Sequence, residues 1–196
     1  MPLWGAVEGS EALPKFLTTA QQKDVFANQS GWVVEAGSAM TGNGNTSADP
    51  EILVAIGGLA GASGTTGLGE ATINTVDWNI TTFDKSAGGT LSVTVRYNET
   101  VTVAVSNPTI IVTNDTNSNH TLTYASGTGT HELTFTLVIG AANAATDAGD
   151  VLSIAAQSIV LANSSTIKDT SDTPADAELA ISSAQGTACG TITVVA

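Results

Sequence analysis

Residues 92–114 read SVTVRYNETVTVAVSNPTIIVTN. Val93, Val95 and Tyr97, then Val101, Val103 and Val105, recur at every second position with polar residues between them. That is the period of a strand with one face in a core and the other in water. Asn107-Pro108 punctuates the run, and Thr109–Thr113 resumes the alternation. Upstream, Ile73–Ile80 and Leu91 carry the same pattern, and downstream it returns at Leu133, Phe135, Leu137 and Ile139. Shorter candidate strands are Thr121–Tyr124, Val151–Ala155, Ser158–Leu161, Ala177–Ile181 and Thr191–Val195, separated by SAGG, NDTNSN, SGTGT, DAGD and ANSS. Many short strands at this spacing, with Thr on the outward positions, predict an all-β chain folded as an antiparallel β-sandwich. Trp78, Tyr97 and Phe135 are the candidate large core groups.

Composition agrees with thin β layers. Of 196 residues, 42% are hydrophobic but only 5% aromatic, so the apolar mass is Ala, Val, Ile and Leu. A chain of this length buries enough apolar surface to fold without disulfides or metals. Eighteen acidic residues against five basic ones give a formal net charge of −13, which repels phosphate backbones and anionic membranes. Neither nucleic acid nor membrane is an expected partner. The single Cys189 has no partner for an internal disulfide and sits where a small buried hydrophobe fits. The start MPLWGAVEGSEALPKF has neither the basic nor the apolar region of a secretory signal, and no stretch has the apolar length of a membrane span.

The texture changes near Ala71. Residues 1–70 are irregular and are expected to form an N-terminal arm and linker, with 71–196 as the sandwich. Within EALPKFLTTAQQKDVFANQSGW, Thr18 or Thr19 would cap a short helix over Ala20–Phe26, ended by Asn28 to Gly31. Phe16, Leu17, Val25, Phe26 and Trp32 are too many large apolar groups for a free tail. They either fold back on this chain's own β domain or dock into a neighbouring subunit. GSAMTGNGNTSAD (37–49) reads as a linker, Ile52–Ile56 as a short buried strand, and GASGTTGLGE (61–70) as a second glycine-rich connector. The latter lacks the Lys-Ser/Thr pair of a phosphate-binding loop.

Constellations for chemistry are sparse. Asp115 to Asn119 has the opening oxygen spacing of a calcium loop, but His120 stands where glycine is needed and Ser126 where a bidentate Glu is needed, so an Asx-rich turn is expected. Asp147 with Asp150, and Asp169, Asp172 and Asp176, crowd two loops that read as solvated turns. His120 and His131 fall on or beside neighbouring strands without a visible third metal ligand. No catalytic, cofactor or metal residue is therefore assigned. Asn-x-Ser/Thr triplets, as at Asn28 and Asn79, read as accidents of a Thr/Asn-rich chain.

Two stretches resemble known families. VTVRYNETVTV (Val93–Val103), the hairpin YASGTGTHELTF (Tyr124–Phe135) and IVLANSSTIKD (Ile159–Asp169) are similar, in that order, to the bacterial immunoglobulin-like repeats of adhesins and phage virion proteins. That resemblance covers most of residues 71–196 and implies an immunoglobulin-like sandwich, a fold carrying many functions. PKFLTTAQQKDVFANQSGWVVEAG (Pro14–Gly37) is similar to a segment near the start of small structural proteins of tailed phages, especially marine cyanophages. Together they imply a non-enzymatic virion protein, made in the host cytoplasm and displayed on the capsid surface as a decoration or cement protein. Its partners would be the major capsid protein, other virion proteins, or further copies of itself in a multicopy lattice. Lys15, Phe16, Leu17, Lys23, Phe26 and Trp32 in the arm would make the contacts, concentrated on aromatic anchors. The alternatives are a tail, neck or fibre-associated virion protein and a host-surface or carbohydrate-binding adhesion module.

Overall fold

A computed structural model describes residues 13–14, 16–60, 67–105, 107–171 and 173–196. Lys15, Asp172, the first dozen residues of the expected arm and positions 61–66 of the second glycine-rich connector lie outside the described residues. The strands are β1 (Val25–Asn28), β2 (Gly31–Val34), β3 (Glu51–Ala55), β4 (Ile73–Trp78), β5 (Phe83–Asp84), β6 (Gly89–Ala104), β7 (Pro108–Asn114) and β8 (His120–Ser126). They continue with β9 (Thr130–Ile139), β10 (Val151–Ser153), β11 (Gln157–Ser158), β12 (Val160–Leu161), β13 (Thr166–Asp169), β14 (Ala180–Ile181) and β15 (Thr191–Val195), with helix α1 (Ser183–Cys189) before the last. Among the described residues the fold is all-β apart from α1 and one 3-10 turn.

Strand β6 organises the fold. Its first half lies between β4 and β9, pairing Val95 with Val76 on one side and Leu133 on the other, and its second half pairs Val103 with Ile167 of β13. β9, β8 and β7 follow as antiparallel neighbours, β7 then meets β10 and β12, and β10 leads to β15. Leu91, Val93, Val95, Tyr97, Val101, Ile110, Leu122, Leu133, Phe135 and Leu152 from these strands are fully buried in one core. Each such side chain contributes about 1.5–3 kcal/mol on leaving water. The Tyr97 hydroxyl donates to the Glu178 carbonyl at 3.0 Å, satisfying the one polar atom the ring brings inside. Trp78 sits at the rim, its indole Nε1 donating to the Gly190 carbonyl.

Several expectations change. The two strands expected at Leu91–Tyr97 and Val101–Val105 are one, ending at Ala104, with Val105 half exposed. Ala177–Ile181 shortens to β14, because the Ala177 and Glu178 amides bond outside a ladder, to Ile167 and Ala71. Ser158–Leu161 divides between β11 and β12, which pair with different strands, β14 and β7. Residues 183–189 form an unexpected helix, opened by a capping box in which Ser182 and Gln185 satisfy each other's amides. Gly186 lies against the Ile154 carbonyl, where a Cβ would overlap it.

The N-terminal region departs most from the expected extended arm. The predicted helix over Ala20–Phe26 is only a 3-10 turn, Gln21–Asp24, opened by reciprocal Thr18–Gln21 hydrogen bonds. Val25 and Phe26 instead begin β1 and face Val34 and Val33 across an antiparallel hairpin, as β-branched and aromatic side chains favour. β3 adds to β2, completing a three-stranded meander from residues 25 to 55. Leu17, Val25, Ala27, Trp32, Val34, Leu59 and Ala60 form a second, smaller core beneath it. Gly31 adopts φ +133° where an added Cβ would overlap the Val54 carbonyl, so the hairpin meets β3 only with glycine there. β3 is an edge strand rather than the expected buried one, with Ile52 exposed. The meander joins the larger sheet through a parallel bridge between Ala27 and Glu99.

Candidate binding site at the junction of the two cores

The open end of the β1–β2 hairpin abuts the starts of β9 and the middle of β6, and the contact is polar. Asp24 and Glu35 close the hairpin, the Glu35 amide donating to the Asp24 carbonyl at 2.8 Å. The Asp24 carboxylate accepts from Ser38 Oγ at 2.6 Å. Opposite them, the His131 imidazole is 3% exposed and stacks on Phe26 with centroids 4.3 Å apart and planes 11° apart. This stack fixes the ring so that Nε2 lies 3.3 Å from the Lys23 carbonyl oxygen and 3.7 Å from Glu35 Oε2.

Charge is arranged around that ring. Arg96 on β6 donates to Glu132 at 2.5 Å through Nε and to Asp77 on β4 at 2.7 Å through a terminal nitrogen. Lys23 also reaches the Asp77 carboxylate. Four carboxylates (Asp24, Glu35, Asp77, Glu132) thus face two cations, a local formal charge of −2. Burial, with Glu132 and Asp24 nearby, raises the Glu35 carboxyl to about 7. Burial also lowers the His131 pKa, so the ring is neutral at neutral pH. Glu35, His131 and Glu132 each offer one donor atom, all within 4.8 Å of one another. A cavity of about 310 Å³ lies against them, with Phe26, Thr46, Pro50 and Thr130 in its wall.

The residues expected in docking are distributed unevenly. Phe16 is 64% exposed, whereas Leu17, Phe26 and Trp32 are 6%, 8% and 2% exposed and are packed within this chain. Of the two sequence readings of these apolar groups, the fold takes the inward one at Leu17, Phe26 and Trp32 and leaves Phe16 outward. Lys23 serves the junction by its ammonium and its carbonyl. Glu35, Arg96 and Glu132 were not singled out in sequence; Glu35 and His131 lie far apart along the chain, and only the pairing of β1 and β2 beside β9 joins them.

The other acidic loops resolve into structure. Asp150 is 2% exposed and accepts from Thr116 Oγ1, from Asn114 and Asn117 side-chain amides at 2.7 and 3.0 Å, and from the Asp147 amide at 2.8 Å. Burial pushes its carboxyl up, but these hydrogen bonds outweigh burial and hold it well below the usual carboxylate range. The expected Asx-rich turn at Asp115–Asn119 is therefore tied to the Asp147–Asp150 loop by donors that already occupy the carboxylate. Asp150 is a buried acceptor rather than part of a solvated turn. Asp169 likewise turns inward, accepting from the Ser171 amide and hydroxyl and the Ala175 amide, while Asp176 pairs with Lys168. His120 and His131 occupy opposite ends of the β8–β9 hairpin; His120 sits 3.4 Å from Thr146 Oγ1, and burial lowers its pKa. Burial pushes the Cys189 thiol up to about 11, leaving it protonated and a poor nucleophile at neutral pH.

No known protein family, curated protein or solved structure matches this chain.

Proposed function

We propose that this chain is a non-enzymatic virion structural protein, a decoration or cement protein on the capsid surface. In this reading the strands from β4 onward are an immunoglobulin-like sandwich displayed outward. The N-terminal segment contacts the major capsid protein or a sister copy. The observation that carries the reading is the exposure of two large apolar side chains in the N-terminal region, Phe16 at 64% and Ile52 at 55%, the latter on edge strand β3, which pairs on one side with β2. An edge strand with exposed apolar side chains is a template for pairing with another chain. Leu17, Phe26 and Trp32 act in this scheme by holding the meander that presents β3. Repetition over a capsid lattice adds weak contacts by avidity, and the acidic surface keeps unassembled copies soluble.

The test is quantitative mass spectrometry of purified particles, with the parent chain and a Phe16→Asp, Ile52→Asp variant supplied during assembly. The expected result is a copy number comparable to that of the major capsid protein for the parent, and its loss for a variant that still folds by circular dichroism. Equal incorporation of the variant removes the N-terminal contact from the reading. A few copies per particle moves the protein to the tail or neck, and absence from particles overturns a virion role.

A further inference from the structure

We propose that Glu35, His131 and Glu132 form a binding site for one first-row divalent cation of the zinc type, which clamps the N-terminal meander to the main sheet. The proposal concerns the chain's own architecture and does not depend on the capsid reading. The donor set is one imidazole nitrogen and two carboxylates, a mixture suited to zinc or its first-row neighbours rather than to the all-oxygen preference of calcium or magnesium.

Separations support it. Bond lengths of about 2.0–2.2 Å at a tetrahedral centre place ligand atoms about 3.3–3.6 Å from each other. His131 Nε2 and Glu35 Oε2 are 3.7 Å apart, and one donor atom from each of the three residues falls within 4.8 Å of the others. The Lys23 carbonyl oxygen is 3.3 Å from the same nitrogen, the spacing of neighbouring ligand atoms, which makes it the candidate fourth donor.

The surroundings are those of a held ligand set. Phe26 fixes the imidazole plane by stacking, and Arg96 orients Glu132, as groups behind metal ligands commonly do. The local formal charge of −2 matches one divalent ion, and the adjoining cavity supplies an entry path and room for water. Glu35 directly follows β2, and His131 and Glu132 lie on β9, so the ion would bridge two cores whose strands otherwise meet at the Ala27–Glu99 bridge.

The experiment is isothermal titration of the full chain, stripped with EDTA and dialysed into a non-chelating buffer, with zinc chloride. Calcium and magnesium chloride are run in parallel, and thermal unfolding is followed with and without zinc. One saturable zinc site per chain is expected, with a rise in Tm of about 5 °C at a hundredfold excess over Kd. Calcium and magnesium should bind far more weakly. Glu35→Gln should weaken zinc at least tenfold while its metal-free Tm stays at or above that of the parent. Glu132→Gln serves as a second variant, read by the same zinc-dependent change in Tm. Absence of saturable zinc binding at millimolar concentration, equal binding by the parent and Glu35→Gln, or calcium binding as tight as zinc would each overturn the site.

Discussion

Replacing Asp150 with Asn changes one oxygen for an NH2 group in a pocket built of donors. The carboxylate is 2% exposed and receives hydrogen bonds from Thr116, Asn114, Asn117 and the Asp147 amide. The substitution removes the charge that strengthens all of them and faces at least one donor with another. Hydrogen bonds to a charged group contribute about 1.5–3 kcal/mol each, and a buried donor left unpaired costs about 1–3 kcal/mol. Partial rearrangement of Thr116 and Asn117 recovers some of that, so a net loss of about 3–4 kcal/mol is expected. For a chain of this size the loss lowers Tm by about 6–16 °C. The linkage sign follows from the lowered pKa. Asp150 contributes its stability fully above the ordinary carboxylate range and loses it only as pH falls through its depressed folded value, so the deficit of Asp150→Asn should be constant from pH 5 to pH 8. Urea denaturation followed by tryptophan fluorescence, at both pH values and with or without 5 mM calcium chloride (about the concentration that fills weak calcium sites), measures it. A variant as stable as the parent refutes the reasoning. So does a parent whose stability rises strongly with calcium while the variant's does not, because a cation would then be the partner of the carboxylate.

Glu35→Gln should stabilise the metal-free chain at high pH. A folded pKa of about 7 means that the native chain holds the Glu35 proton more tightly than the unfolded chain, so the penalty is absent below pH 4.5 and complete above pH 8. Allowing for solvent screening of a side chain about one-third exposed, the gain should be about 1–2 kcal/mol at pH 8.5 and near zero at pH 4.5; a gain equal at both pH values counts against the assignment. Gly31→Ala should destabilise the meander by more than about 2 kcal/mol through strain at φ +133° and overlap with Val54, seen as faster hydrogen exchange in β1–β3 than in β9. Tyr97→Phe should cost about 1–2 kcal/mol in denaturant unfolding, since it leaves the Glu178 carbonyl without the Tyr97 hydroxyl.

What was legible in the sequence divides along a physical line. Leu91, Val93, Val95 and Tyr97, and Leu133 and Phe135, are read correctly because the two faces of a strand meet different solvents, and that difference is written into alternate residues. Helix α1 has no apolar period over SAQGTAC, and its only local sign is the Ser182–Gln185 capping pair. Val25 and Phe26 were misread because a four-residue strand is too short to show a period, and the preceding Thr18-x-x-Gln21 does cap a turn, only a 3-10 one. The junction was illegible for another reason. Glu35 looks like a solvated acid beside a linker, and His131 like a histidine at a hairpin turn. Their proximity exists only once β1 lies beside β6, a long-range pairing that no local pattern encodes.

The unequal attachment of the two cores has a mechanical consequence. β6 is bound along its length to β9, β4 and β13, so a load pulling it lengthwise must shear several ladders together. The meander hangs on the same strand by the Ala27–Glu99 bridge, and on its neighbours β4 and β9 by the Lys23–Asp77 ion pair and the Glu35–His131 contact. Tension applied between the two ends of the chain would detach that part first, at low force. The core around Phe135 would still be intact, and the released segment would lengthen as a tether before the larger sheet gave way.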